Sequence, residues 1–150
     1  MITKKHTLIV AFAVFAVALV ALGAPQKSHE RPFKIDGLIT ATFNLGTGAG
    51  VGEDWGEGTH VGRYDNTMTL QITNPETLFI IGSGTLTAAN GDKLFWVRAD
   101  HVFTFTGGTG RFQNATGGFL ITHPDAVPTF PGDGTAVVTH TYHGVGTVTY

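Results

Sequence analysis

From Phe33 onward, apolar and polar side chains alternate with a period of two. Phe33, Ile35, Gly37, Ile39, Ala41, Phe43 and Leu45 fall on one face, and Lys34, Asp36, Thr40, Thr42 and Asn44 fall mainly on the other, with Leu38 the one discord. Successive residues of a strand point to opposite faces, so this spacing predicts a half-buried strand. Thr59 to Thr73 resumes the alternation with Met68, Leu70 and Ile72, and Asn74-Pro75 closes it. Further strands are predicted over Leu78 to Ala88, Lys93 to Phe105 and Arg111 to Thr122. The turn at Asn90-Gly91-Asp92 supplies left-handed residues for a tight hairpin. Thr135 to Tyr142 and Val145 to Tyr150 read as a last hairpin around His143-Gly144. Two stretches read as loops: the acidic, glycine-rich Gly46 to Gly58, and His123 to Gly134 with Pro124, Pro128 and Pro131. No stretch after the leader keeps helical periodicity over three turns. Seven or eight hairpin-linked strands, with few charges to protect open edges, favour an all-β, closed antiparallel barrel of about eight strands, a sandwich being the alternative.

The first residues follow a different pattern. Lys4 and Lys5 precede an unbroken apolar run from Leu8 to Leu22, the arrangement of a secretory signal with its hydrophobic helix. A run of fifteen residues is shorter than the roughly 20 that span a bilayer, which favours cleavage over anchoring. Pro25 disfavours cutting after Ala24, so Ala21-Leu22-Gly23 is the preferred site; an uncleaved anchor is the alternative. The expected organisation is a signal peptide over 1–23, a linker over 24–32 and a barrel domain over 33–150, in a secreted or periplasmic protein.

Composition narrows the classes. After the leader, seven Lys and Arg stand against eleven Asp and Glu, a net charge of −4 with histidine neutral. Nucleic-acid binding requires clustered cations and is not expected. There is no cysteine, so neither disulfides nor thiolate metal sites hold the fold, and an exported domain of this kind depends on its core.

The densest motif is Gly107 to Gly118, reading GGTGRFQNATGG. Its glycines Gly107, Gly108, Gly110 and Gly117 predict a turn and a bulge at a barrel corner, with Phe112 anchoring inward and Arg111 pairing with Asp92 or Asp100 outside. His60 with Arg63 is the most specific polar pair and could hold a carboxylate if it faced inward. Trp55, Trp96, Phe103 and Phe105 are aromatics enough to line an apolar pocket, the alternative being ordinary core, and Arg98 is a further candidate ligand-binding residue if it faces a cavity. His140 and His143 are three apart, a spacing that puts them on opposite faces of a strand and argues against a shared metal ion. His101 and His123 join a cluster only if folding gathers them. Glu53, Asp54 and Glu57 carry oxygen ligands on a glycine-rich stretch, but their spacing fits no calcium loop and a solvated acidic loop is expected. No nucleophile elbow, phosphate loop or zinc motif occurs, so no metal and no cofactor is expected.

Taken together, Arg31-Pro32-Phe33-Lys34, Gly58-Thr59-His60-Val61-Gly62-Arg63, Ala88-Ala89-Asn90-Gly91-Asp92, Gly107-Gly108-Thr109-Gly110-Arg111-Phe112 with Ala115-Thr116-Gly117, and Gly146-Thr147-Val148-Thr149-Tyr150 resemble a set of exported bacterial proteins of unknown function related to the allene oxide cyclase barrel-like group. Dirigent proteins share a similar barrel and a similar glycine-rich stretch. The resemblance implies an eight-stranded barrel with a potential internal cavity for an apolar or aromatic small molecule, while no catalytic residue of either family matches a position here. The expected function is a structural or apolar-ligand-binding barrel without catalysis. The alternatives are an isomerase or cyclase acting inside the barrel, and a cell-surface interaction module with an apolar patch around Trp55 or the proline loop.

Overall fold

The structure is a computed structural model and describes residues 29–123 and 126–150; the leader lies outside the described residues. Eight strands close into one antiparallel barrel in sequence order: β1 (Arg31–Asn44), β2 (Ala49–Gly58), β3 (Gly62–Asn74), β4 (Phe79–Ala88), β5 (Lys93–Ala99), β6 (Val102–Gly108), β7 (Thr116–Thr122) and β8 (Thr135–Thr149). β8 pairs with both β7 and β1, and the seam with β1 runs from Arg31 opposite Val148 to Asn44 opposite Thr135. Closure leaves no open edge to attract another chain.

Several boundaries differ from the sequence reading: the expected strand Arg111 to Thr122 begins only at Thr116, after a 3-10 turn over Gly110–Phe112, and three further differences are larger. The expected loop Gly46 to Gly58 is mostly strand β2. Its inward positions are Gly50, Gly52, Asp54 and Gly56 while Val51 and Trp55 face solvent, which inverts the usual alternation. The long Lys93 to Phe105 strand is split at Asp100, whose φ of 55° turns the chain between β5 and β6. The expected terminal hairpin is one strand, β8, in which Gly144 sits opposite Ile35 and Ile121.

The interior is filled by large side chains set against glycines. Trp96, Phe33, Ile35, Leu86, Leu94 and Phe112 are fully buried, and Phe33, Phe103, Phe105 and Phe119 form a chain of ring contacts with centroids 4.5 to 5.7 Å apart. Gly84 lies opposite Trp96 in the β4–β5 register, and a Cβ there would sit on the indole. Gly37 does the same for two tyrosines, placing an imagined Cβ against the Tyr64 hydroxyl and 2.8 Å from the Tyr142 ring. Such pairing of small and large residues is how a narrow barrel fills its taper.

The Gly107 to Gly118 stretch builds one end of the barrel. The register slips between Phe95 and Trp96 opposite β6, so Thr106 bulges. Gly107 and Gly110 take positive φ, and Gly110–Phe112 forms one turn of 3-10 helix that buries Phe112. Arg111 Nε lies 3.7 Å from Asp92 Oδ2, and its guanidinium covers the Phe112 ring.

Candidate functional site

The sequence-predicted residues separate onto three places. At the end that carries the chain termini of the barrel, His60 adopts a positive φ of 68° in the β2–β3 turn. Its Nε2 lies 3.0 Å from the Pro32 carbonyl and its Nδ1 3.3 Å from the Tyr150 hydroxyl. Arg63 points to solvent and meets Glu57 at 3.5 Å, both side chains being mostly exposed. The two therefore do not converge, and an inward His60–Arg63 pair is not formed. Exposed pairs contribute little, so Arg63→Ala is expected to change unfolding free energy by no more than about 0.5 kcal/mol, measured by denaturant titration.

Trp96 and Phe105 belong to the filled interior, where a polar chain runs through the middle of the barrel. Trp96 Nε1 donates to Asn66 Oδ1 at 3.1 Å, and Asn66 Nδ2 donates to Asp54 Oδ2 at 2.8 Å. The Tyr142 hydroxyl donates to Asp54 Oδ1 at 3.1 Å and lies 2.6 Å from the Tyr64 hydroxyl. Tyr64 also reaches the Asp36 carbonyl at 3.3 Å. Asp54 is 3% exposed, so it is a buried carboxyl and not part of a solvated acidic loop. Burial pushes it up to about 6, against the opposing pull of its bonds from Asn66, Tyr142 and Tyr64. Both tyrosines are raised, first by burial and then by the carboxylate beside them. Every buried side-chain nitrogen and oxygen among the described residues has a partner.

The opposite end gathers what the sequence left scattered. Arg98 continues the inward row of Leu94 and Trp96 on β5, places its guanidinium 5.0 Å from the Phe103 ring centroid and donates from Nε to the Asp100 carbonyl at 2.8 Å. Burial lowers it to about 10, against the pull of Asp100. His101 from the β5–β6 turn, His123 just past β7 and His140 from β8 converge beside it. The His101 and His123 rings stack with Nε2 atoms 3.1 Å apart, and the His123 and His140 centroids are 4.6 Å apart. Asp100 Oδ2 holds His101 Nδ1 at 2.8 Å, and His140 Nδ1 lies 3.0 Å from the Thr141 carbonyl. Burial lowers His140, with His123 and Arg98 adding to the effect against the Thr141 carbonyl. Among the described residues no three such groups are arranged to hold a metal ion. His143 lies on the outer face, 2.7 Å from Asp36.

Two shallow depressions open to solvent flank this end. One of about 430 Å³ over β3 and β4 is lined by Thr69, Gln71, Ile81 and Ser83 and reaches Arg98. One of about 540 Å³ between β1, β7 and β8 is lined by Asp36, Thr122, His123, Thr141 and His143.

Comparison with protein-family models, curated proteins and solved structures finds no match to this chain.

Proposed function

We propose that the protein is an exported, non-catalytic binding barrel that takes a small molecule at the mouth formed by β5, β6, β7 and β8. The observation that carries this reading is the desolvated Arg98 guanidinium stacked on Phe103, with three imidazoles beside it. A partly buried cation over an aromatic ring suits a ligand with an anionic group and an apolar body: the guanidinium bonds the anion in a forked geometry, and the ring and rim cover the body. Arg98, His101, His123 and His140 then set the polar end of the ligand. Trp96 and Phe105 act from behind as packing. The apolar leader supports export, and the resemblance to exported barrel proteins supports small-molecule binding.

Mass spectrometry of small molecules that copurify with the secreted protein, followed by titration of aliphatic and aromatic carboxylates, tests the reading. A saturable carboxylate ligand is expected, with Kd raised about ten- to a hundredfold in Arg98→Gln, since a charge-assisted bond is worth about 1.5 to 3 kcal/mol. Absence of any saturable carboxylate binding, or equal binding by the variant, would remove it.

A second reading, a proton-transferring isomerase or cyclase acting inside the barrel, is favoured by Asp54, a buried carboxyl titrating at about 6 beside two tyrosine hydroxyls. The mouth is preferred because the side chains around Asp54 occupy the space a substrate would need.

A further inference from the structure

His101 and His123 meet nitrogen to nitrogen. Their Nε2 atoms stand 3.1 Å apart between near-parallel rings with centroids 5.1 Å apart, the spacing of one N–H···N hydrogen bond. Asp100 Oδ2 lies 2.8 Å from His101 Nδ1 and assigns the tautomer: the proton of a neutral His101 sits on Nδ1, its Nε2 accepts, and His123 Nε2 donates. A first added proton leaves that bond in place, since one Nε2 still accepts from the other whichever ring is charged. A second leaves two N–H groups pointed at each other. The pair is therefore built to hold one added proton, and a charged N–H···N bond with a carboxylate behind it is stronger than the neutral one.

The charged groups around the pair come from several elements. Arg98 on β5 donates from Nε to the Asp100 carbonyl at 2.8 Å, so residue 100 orients the guanidinium through its backbone and the His101 imidazole through its side chain. Its φ of 55° turns the chain there, and aspartate tolerates that conformation better than most residues. On β8, burial lowers His140 against the pull of the Thr141 carbonyl, and His123 and Arg98 add to the lowering, so the charges of both are felt at one place. His123 also lines the outer depression that holds Asp36 and His143, where the 2.7 Å contact between those two already engages that carboxylate. Asp100 is thus the carboxylate in contact with the pair, and Arg98 the fixed cation that opposes its charging.

We infer that capture of an anion at this mouth is proton-coupled: the anion bound by Arg98 enters together with one proton, which the His101–His123 pair holds against Asp100. This inference rests on the reading of the mouth as an anion site. Without a ligand, a proton on the pair adds a second positive charge beside the guanidinium. An anion seated on Arg98 removes that repulsion and attracts the imidazolium directly, so binding favours protonation. By linkage, protonation favours binding by the same factor. The sign follows: affinity is highest at acidic pH, where the pair already carries its proton, and falls as pH rises and the proton leaves. The protein then loads its ligand in an acidic medium and releases it on neutralisation. The coupling stops at one proton because the second would break the Nε2 to Nε2 bond that joins the β5–β6 turn to the end of β7.

Titration calorimetry of the full chain with benzoate and with octanoate, from about pH 8 to about pH 5.5, is the test; both probes stay largely ionised over that range. The wild-type Kd is expected to fall about tenfold between the two ends. Proton uptake approaching one per ligand is expected in the middle of the range, read from the apparent enthalpy in buffers of unlike ionisation enthalpy. The double variant His101→Gln, His123→Gln is expected to lose most of the pH dependence and the proton uptake. Asp100→Asn keeps a residue suited to the turn and an oxygen for His101 Nδ1 but removes the charge, and is expected to move the profile toward lower pH, a shift that a merely structural role would not produce. His143→Gln, on the outer face, is expected to leave the profile unchanged. If the double variant folds poorly by circular dichroism, the wild-type proton count decides alone. Saturable binding with the same Kd at every pH, or without proton uptake, overturns the inference and leaves the anion site standing. Coupling that survives in a folded double variant also overturns it. No saturable binding of either probe at any pH removes the anion site and the inference with it.

Discussion

Asp54→Asn is expected to stabilise the barrel at neutral pH by up to about 3 kcal/mol and to remove a stability loss that the wild type suffers as pH rises from about 4 to 6. The folded carboxyl titrates at about 6 and the unfolded one at 3.8, so the folded state holds its proton longer. Stability from this group is complete below the unfolded value, is lost as pH rises through the folded value, and is flat above it. That is the reverse of a carboxylate held by an ion pair. His140 acts in the opposite sense: burial lowers it, so acidification through the usual histidine range destabilises the fold. Asp133, lowered by its bonds from Thr135, loses its contribution only below the ordinary carboxylate range. The wild-type-minus-variant difference across pH isolates Asp54 from both.

The amide can replace the carboxyl because the polar chain runs in either direction. With Asn66 still donating to the position 54 oxygen, the new amide donates to Tyr142, Tyr142 to Tyr64, and Tyr64 to the Asp36 carbonyl already within 3.3 Å. Urea titrations of both proteins at pH 4 and pH 7, repeated at intermediate pH, read the effect directly. A variant less stable than wild type at neutral pH would show that the ionised carboxylate is what the fold requires. Burial of an unused acid at such a cost is what makes the enzymatic reading worth testing beside the binding one.

Trp96→Ala carries the other large effect, a loss of about 3 to 5 kcal/mol, which is a large share of the stability of a domain this size. The indole fills the barrel between Gly84 and Phe103, and its Nε1 is the donor to Asn66 Oδ1, so truncation opens a cavity and leaves a buried acceptor unpaired. Gly84→Ala in the wild type is expected to destabilise as well, because its Cβ would lie 2.6 Å from indole Cε2. In the Trp96→Ala background the same change should cost less, since the indole clash is gone and only the 2.7 Å approach to the Thr67 carbonyl remains. A double-mutant cycle by thermal or urea unfolding measures that coupling; additive effects would mean that the Thr67 carbonyl, not the indole, sets the cost at Gly84.

The alternation of Phe33 to Phe43, the Asn90-Gly91-Asp92 turn and the glycines around Phe112 determined on their own that the chain is antiparallel β-structure linked by hairpins, because period two and left-handed turn residues are local properties; closure into a barrel and not a sandwich came from the tertiary structure. The same local logic misread β2, β8 and the β5–β6 turn. In β2 the inward residues are glycines because Phe43 on β1 and Met68 on β3 fill the space inside them, so the strand shows its polar and apolar faces reversed. That reversal also hid Asp54: an acid beside glycines and Trp55 reads as a solvated loop until β2 is closed against Asn66 and Tyr142. Arg98 and Phe103 were legible as a cation and a ring near each other in the chain. Their meeting with His123 and His140 was decided only by the tertiary structure, which sets residues tens of positions apart side by side through a register that no local pattern encodes.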